Sequence, residues 1–295
     1  MNTQKLQNKF GKIYKDFFQK CEIVASAPHS FLWSGDFSGF FDGLTISSKI
    51  PLRFYLGLEN TNRPFEVAEE FFAFNPEKNR FEIIRLDSNL VMKLKKQIGK
   101  EYYGKKLRLL SEITLGTSLG GLGAISACLA KIGAPTESNS EKLFENAWKI
   151  AKNLQTGRSL GATAYASLSI SRYPIAFYSK KSTYWAKPIN KINRALPESP
   201  LWPIDFGLIF SGKLVQGAAV IASANEIKKL SQKRESLIKK IGLKKDPFWN
   251  DYLKFINQIA FQNLFALTEL FKNGSTESSQ KFLFQTLNQY QNLLH

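Results

Sequence analysis

The residues of this 295-residue sequence best suited to chemistry stand in one turn, Leu115-Gly116-Thr117-Ser118-Leu119-Gly120-Gly121-Leu122-Gly123. The β pattern Leu107–Ile113 runs into it, and a helical pattern of small residues, Ala124–Ile132, follows directly. Glycine lets a backbone approach a phosphate closely and take up positive φ. The first N–H groups of the following helix would then point at an anion, with the helix dipole behind them. No Gly-Lys-Ser/Thr follows, so the turn is not a P-loop. Its glycine spacing and surroundings do not fit a dinucleotide-binding βαβ unit either. The same glycines equally suit a tight strand-to-helix connection with close helix packing.

Other chemistries are excluded by count. The only cysteines are Cys21 and Cys128 and the only histidines His29 and His295, which leaves no disulfide framework and no Cys/His zinc site. Lys+Arg total 41 against 24 Asp+Glu, a net charge of +17. A basic surface favours anionic partners. Here 32 of the 41 are Lys, in a chain also rich in Asn, Phe and Ile, all served by A/T-rich codons. The densest patches, Lys93-Lys95-Lys96-Lys100 and Lys228-Lys229-Lys233-Arg234, fall on amphipathic helical patterns and read as solvated faces. Neither nucleic acid nor membrane is expected as a partner. No apolar run reaches the roughly 20 residues that span a bilayer, and MNTQKLQNKF has no apolar signal core. The sequence predicts a cytoplasmic protein.

The elements that must position the turn follow from periodicity. Leu6, Phe10, Ile13, Tyr14 and Phe17 mark an amphipathic helix over 3–20. Strands are predicted at 22–26, within 43–59, and at 81–86, 107–113, 175–178 and 204–210. Residues 60–79 read as a loop with a short element, and the Pro-rich stretch 186–203 as a loop. Helices are predicted at 88–100, 124–132, 140–156, 161–170, 213–241, 247–273 and 277–294.

Several segments, in order, resemble the GHMP kinases (galactokinase, homoserine, mevalonate and phosphomevalonate kinases). Ala27-Pro28-His29-Ser30-Phe31-Leu32-Trp33-Ser34-Gly35-Asp36-Phe37-Ser38, then Asp42-Gly43, is similar to that family's Ala-Pro-Gly-Lys and Gly-Glu-His segment. Thr114–Ala124 resembles its Pro-x-Gly-x-Gly-Leu-Gly-Ser-Ser-Ala-Ala turn. Gly161-Ala162-Thr163-Ala164-Tyr165-Ala166-Ser167, running into Tyr173–Phe177, resembles its Ser-Gly-Ile-Asp-Asn-Ala helix. Ile204-Asp205-Phe206-Gly207 and Ser211-Gly212-Lys213 resemble a later strand and helix start, leaning to the mevalonate branch.

The resemblance implies an α+β, two-domain fold. An N-terminal helix (1–21) would precede a ribosomal-protein-S5-domain-2-like part (22–185) and a ferredoxin-like part (186–295). It implies ATP and Mg²⁺ as cofactors and phosphorylation of a small hydroxyl substrate. The nucleotide would lie on Gly116, Thr117, Ser118, Leu119, Gly120, Gly121 and Gly123. His29, Ser30, Asp42 and Asp205 would face substrate, and Asp36, Tyr165 and Thr163 would stand nearest the chemistry.

The departures open a second reading. The family's motif cation is Ser30 here, its Glu is Asp36 and its His is Phe37. Its paired serines fall on Gly121 and Leu122, with Thr117 and Ser118 just upstream, and its catalytic Asp falls on Tyr165 or Thr163. The alternative is therefore a GHMP-fold pseudoenzyme acting as a binding or partner subunit. Simpler roles exist for single residues: turn formation for Asp36, strand structure for Asp205, core packing for Tyr165 and Cys128, local structure for His29. The family's C-terminal glycine-rich motif has no counterpart in 247–295. A homodimer or a partner chain covering the two C-terminal helices is expected on that ground.

Overall fold

The structure is a computed structural model and describes residues 2–35, 43–98, 102–114, 120–155, 159, 161–180, 183–192, 196, 247–273 and 276–294. The chain forms two compact units. One draws on the stretch up to Phe31 and on Lys49–Ile170; the other on Leu32–Ser48, the segment from Ser171, and the two C-terminal helices. The units interleave in sequence, because strands β1 (Ile23–Ser34) and β2 (Leu44–Asn60) each contribute residues to both.

In the first unit β2 pairs antiparallel with β6 (Lys105–Ser111), in register from Phe54↔Ser111 to Asn60↔Lys105. β6 pairs parallel with β3 (Glu66–Val67) and β4 (Glu70–Asn75), and β4 forms a hairpin with β5 (Arg80–Arg85). β1 also pairs with β2, and the parallel and antiparallel partners of β6 make the sheet mixed. Phe54, Tyr55, Leu56 and Leu58 of β2 are all buried, the mark of a strand covered on both faces.

Helices α1 (Thr3–Lys9) and α2 (Gly11–Lys20) supply one cover. Leu6, Tyr14 and Phe17 pack with Leu52, Tyr55, Phe74 and Leu110. The expected single helix over 3–20 breaks at Phe10, whose φ of -119° and ψ of 34° leave the helical region. The stretch 60–79, read as mostly loop, holds β3 and β4. Phe71, Ala73 and Phe74 are buried there, so tertiary packing overrides the polar flanks.

The remaining helices of this unit are α3 (Ser88–Ile98), α4 (Gly121–Gly133), α5 (Ser140–Leu154) and α6 (Ala162–Leu168). α4 carries Ala124, Ser126, Ala127, Cys128 and Ala130, all buried, and small side chains allow close helix approach. The Cys128 thiol donates to the Phe54 carbonyl, and burial pushes its pKa up to about 12, so it behaves as a small core group.

In the second unit Leu44–Ser47 of β2 pair antiparallel with β7 (Ile175–Lys180), and β7 pairs with β8 (Thr183–Pro188). β8 overlaps the stretch read as a Pro-rich loop; Pro188 sits at its last position, where a missing N–H is tolerated. A short α7 (Ile189–Ile192) follows. The helices α8 (Pro247–Asn273) and α9 (Glu277–Leu294) occupy the spans predicted from periodicity. Their residues Ala260, Leu264, Leu267, Leu270 and Leu283 pack on Leu44, Ile46, Tyr173 and Ala176. The strand predicted at 204–210 and the helix at 213–241 lie outside the described residues.

Candidate functional site

The start of α4 is set by a single residue. Gly120 caps the helix at φ 65°, ψ 25°, in the left-handed region where a side chain is disfavoured. A Cβ there would lie 2.2 Å from the Ser30 Oγ and 2.7 Å from the Ser30 carbonyl oxygen. The glycine is thus required twice over, for its conformation and for its contact with β1. The first intrahelical bond runs from the Ala124 N–H to the Gly120 carbonyl at 3.0 Å. The N–H groups of Gly121, Leu122 and Gly123 therefore precede the helical ladder, and no side chain caps the helix.

Three segments meet at this point. Ser30, fully buried, donates to the Thr163 carbonyl at 3.4 Å. Thr163 lies in the first turn of α6, which opens on Gly161 at φ 73°. A Cβ on Gly123 would come within 2.8 Å of the Thr163 Oγ1 and 2.9 Å of the Ala164 nitrogen. Two glycine-capped helix starts thus lie against each other and against β1. Gly120, Gly121, Leu122 and Thr163 remain half-buried, whereas Ser30 and Gly123 form the floor beneath them.

The other sequence-predicted residues fall differently. His29 is buried, with its Nε2 3.1 Å from the Ser111 Oγ and its ring edge-on to Phe54 at 5.9 Å. Ser111 in turn donates to the Ile113 carbonyl, so this pair ties β1 to the end of β6. Tyr165 is half-buried, with its ring 5.0 Å from Phe144 of α5. Burial and the Glu141 carboxylate raise its phenol pKa, which removes it as a base at neutral pH. Asp36, Asp42, Asp205, Gly116, Thr117, Ser118 and Leu119 lie outside the described residues.

The geometry suits a phosphate-bearing ligand at the start of α4: uncapped N–H groups, a 13-residue helix behind them and no acidic residue in its first turn. A metal is less well provided for. Among the described residues no three His, Cys, Asp or Glu side chains group as metal ligands. Among the described residues of the second unit, Leu44, Tyr178, Trp185, Asn257 and Phe261 line an apolar hollow of about 440 Å³. Among the described residues no helix is long and apolar enough to cross a membrane.

Two polar features were missed by the sequence reading. Glu112 is completely buried, and its carboxylate accepts from Tyr14, Tyr55, Thr3 and the Arg53 N–H. An acid inside the apolar run Leu109–Ile113 was the available signal. The second is a pair of cations at Ser26. Arg53 stands within an apolar strand and Lys131 is the single charge on α4.

No protein-family model matches the sequence, and no curated protein matches it significantly. Solved structures do match its fold. The chain overlays mevalonate kinase from L. major, in complex with R-mevalonate, with a TM-score of 0.56 at 12% identity. The overlay covers 92% of this chain and 74% of that one. The Lin0012 protein of Listeria innocua overlays with a TM-score of 0.51 at 13% identity, over 92% of this chain and 77% of that one. The mixed α/β fold is therefore GHMP-kinase-like.

Proposed function

We propose that this chain transfers a phosphoryl group from ATP to the hydroxyl of a small metabolite, in the manner of a GHMP kinase and with a lean toward a mevalonate-like acceptor. One observation carries the reading. Within a GHMP-kinase-like fold, Ser30, Gly120, Gly123 and Thr163 converge on the uncapped start of α4. ATP, with Mg²⁺ on its phosphates, would supply the phosphoryl group. The N–H groups of Gly121, Leu122 and Gly123 would hold the phosphates, and the dipole of α4 would favour their charge. Thr163, fixed against Gly123, would keep the start of α6 in place and offer a hydroxyl beside them. Asp36 and Asp42, on the segment after β1, and Asp205 are the carboxylates proposed for Mg²⁺ or the acceptor hydroxyl. Phosphoryl transfer rests mainly on positioning and charge neutralisation, so a missing carboxylate base does not forbid it.

A second reading, a GHMP-fold binding subunit without catalysis, draws support from Tyr165. That residue stands where the resemblance puts a carboxylate, and its ring packs on Phe144. A coupled ADP-release assay with mevalonate, phosphomevalonate, homoserine and sugars separates the two. Turnover is expected with one of these alcohols, reduced roughly 10–100-fold in kcat/KM by Thr163→Val. Mg-ATP binding without ADP release from any acceptor would favour the binding subunit.

A further inference from the structure

Two cations of the first unit converge on one residue of β1. Arg53 donates through Nε and Nη2 to the Ser26 Oγ at 3.1 and 2.8 Å, and through Nη2 to the Ser26 carbonyl at 3.3 Å. Lys131, in the last turn of α4, donates to the same carbonyl at 2.9 Å. All three residues are half-buried. Among the described residues, neither cation pairs with a carboxylate. Like charges held close together repel, and partial burial adds to the penalty. Desolvation, with Arg53 adding to it, lowers the pKa of the Lys131 ammonium. Such an arrangement is unfavourable unless something of opposite charge completes it.

The donors left over define what that is. The Arg53 Nη1 and two of the three Lys131 N–H bonds engage no described residue. The Ser26 hydroxyl accepts from Arg53 twice and donates to no described residue. We propose that Ser26, Arg53 and Lys131 form a binding site for a phosphate-class oxyanion, separate from the start of α4. The remaining Nη1 donors of Arg53, a lysine point charge and the Ser26 O–H suit a tetrahedral oxyanion, and a dianion matches the two positive charges. Inorganic phosphate and the phosphate of a phosphorylated metabolite share this chemistry.

Thermal unfolding of the full chain in phosphate and in chloride at equal ionic strength tests the site. Phosphate should raise the Tm of the wild type by several degrees, and this rise should vanish in Lys131→Met and in Arg53→Gln. In chloride, Lys131→Met should be at least as stable as the wild type, because it removes the repulsion. That result also shows that the variant folds. Glycerol phosphate in place of phosphate distinguishes the sources: a larger rise assigns the site to a phosphomonoester, an equal rise to free phosphate. Two outcomes overturn the proposal. One is no response beyond chloride in the wild type, which leaves the two cations as caps on the Ser26 carbonyl only. The other is a response that survives both substitutions, which would belong to the start of α4.

Discussion

Glu112→Ala is expected to destabilise the first unit by about 4 kcal/mol, because it strands several buried donors at once. One carboxylate oxygen accepts from Tyr14 at 2.8 Å and Tyr55 at 3.1 Å; the other accepts from Thr3 at 2.5 Å and the Arg53 N–H at 2.7 Å. These four donors come from α1, α2 and β2, so the carboxylate joins both N-terminal helices to the sheet. Glu112→Gln should lose roughly half as much, because its amide can turn toward the tyrosines, whose hydroxyls also accept. The backbone N–H of Arg53 cannot, so the remaining oxygen must stay with it. Urea unfolding followed by circular dichroism measures both. A loss under about 1 kcal/mol for alanine, the level of a surface substitution, would contradict this role.

The same cluster sets an alkaline limit. Burial, followed by the charge of Glu112, holds the Tyr14 and Tyr55 phenols above their ordinary pKa of 10.0. The folded state therefore keeps protons that the unfolded chain releases. The stabilisation is fully present below pH 10 and falls as pH rises through the folded-state values. Tyr14→Phe should flatten that decline.

Gly120→Ala is the second large effect. The added methyl group meets the Ser30 Oγ at 2.2 Å and the Ser30 carbonyl at 2.7 Å, on a backbone at φ 65°. The left-handed conformation alone costs roughly 1–2 kcal/mol. The overlap is partly with backbone, which cannot rotate away, so a total of about 3 kcal/mol or more is expected. Gly133→Ala is the matched control on the same helix. Nothing lies within 4 Å of its Cβ position, and alanine should be neutral to stabilising, by up to about 1 kcal/mol. A Gly120→Ala variant as stable as this control would show that the turn is not seated on Ser30.

The glycine-rich turn illustrates what the sequence made legible and what it did not. Its two readings, anion cradle and tight packing, turn out to rest on different groups of the same turn. Gly120 and Gly123 are demanded by packing on Ser30 and Thr163. The uncapped N–H groups of the first turn of α4 are what suit an anion. Residue spacing could not separate these, because the contacts link β1, α4 and α6 across more than a hundred residues. The periodic helices α5, α8 and α9 were legible because each repeats its apolar pattern over three or more turns. β3, β4 and β8 were not, because short strands gain their stability from neighbours. Ser26, Arg53 and Lys131 were invisible for the same reason: each is unremarkable in its own segment, and only the fold brings them together.

The central claim is that the start of α4 receives the phosphates of ATP. Selective ¹⁵N-glycine labelling tests it without altering the protein, since Gly120, Gly121 and Gly123 are three of only 19 glycines. On titration with Mg-ATP their amide resonances should shift together and saturate, while Gly57 and Gly133 stay in place. Resonances of the turn that remain unmoved at millimolar Mg-ATP would contradict the account.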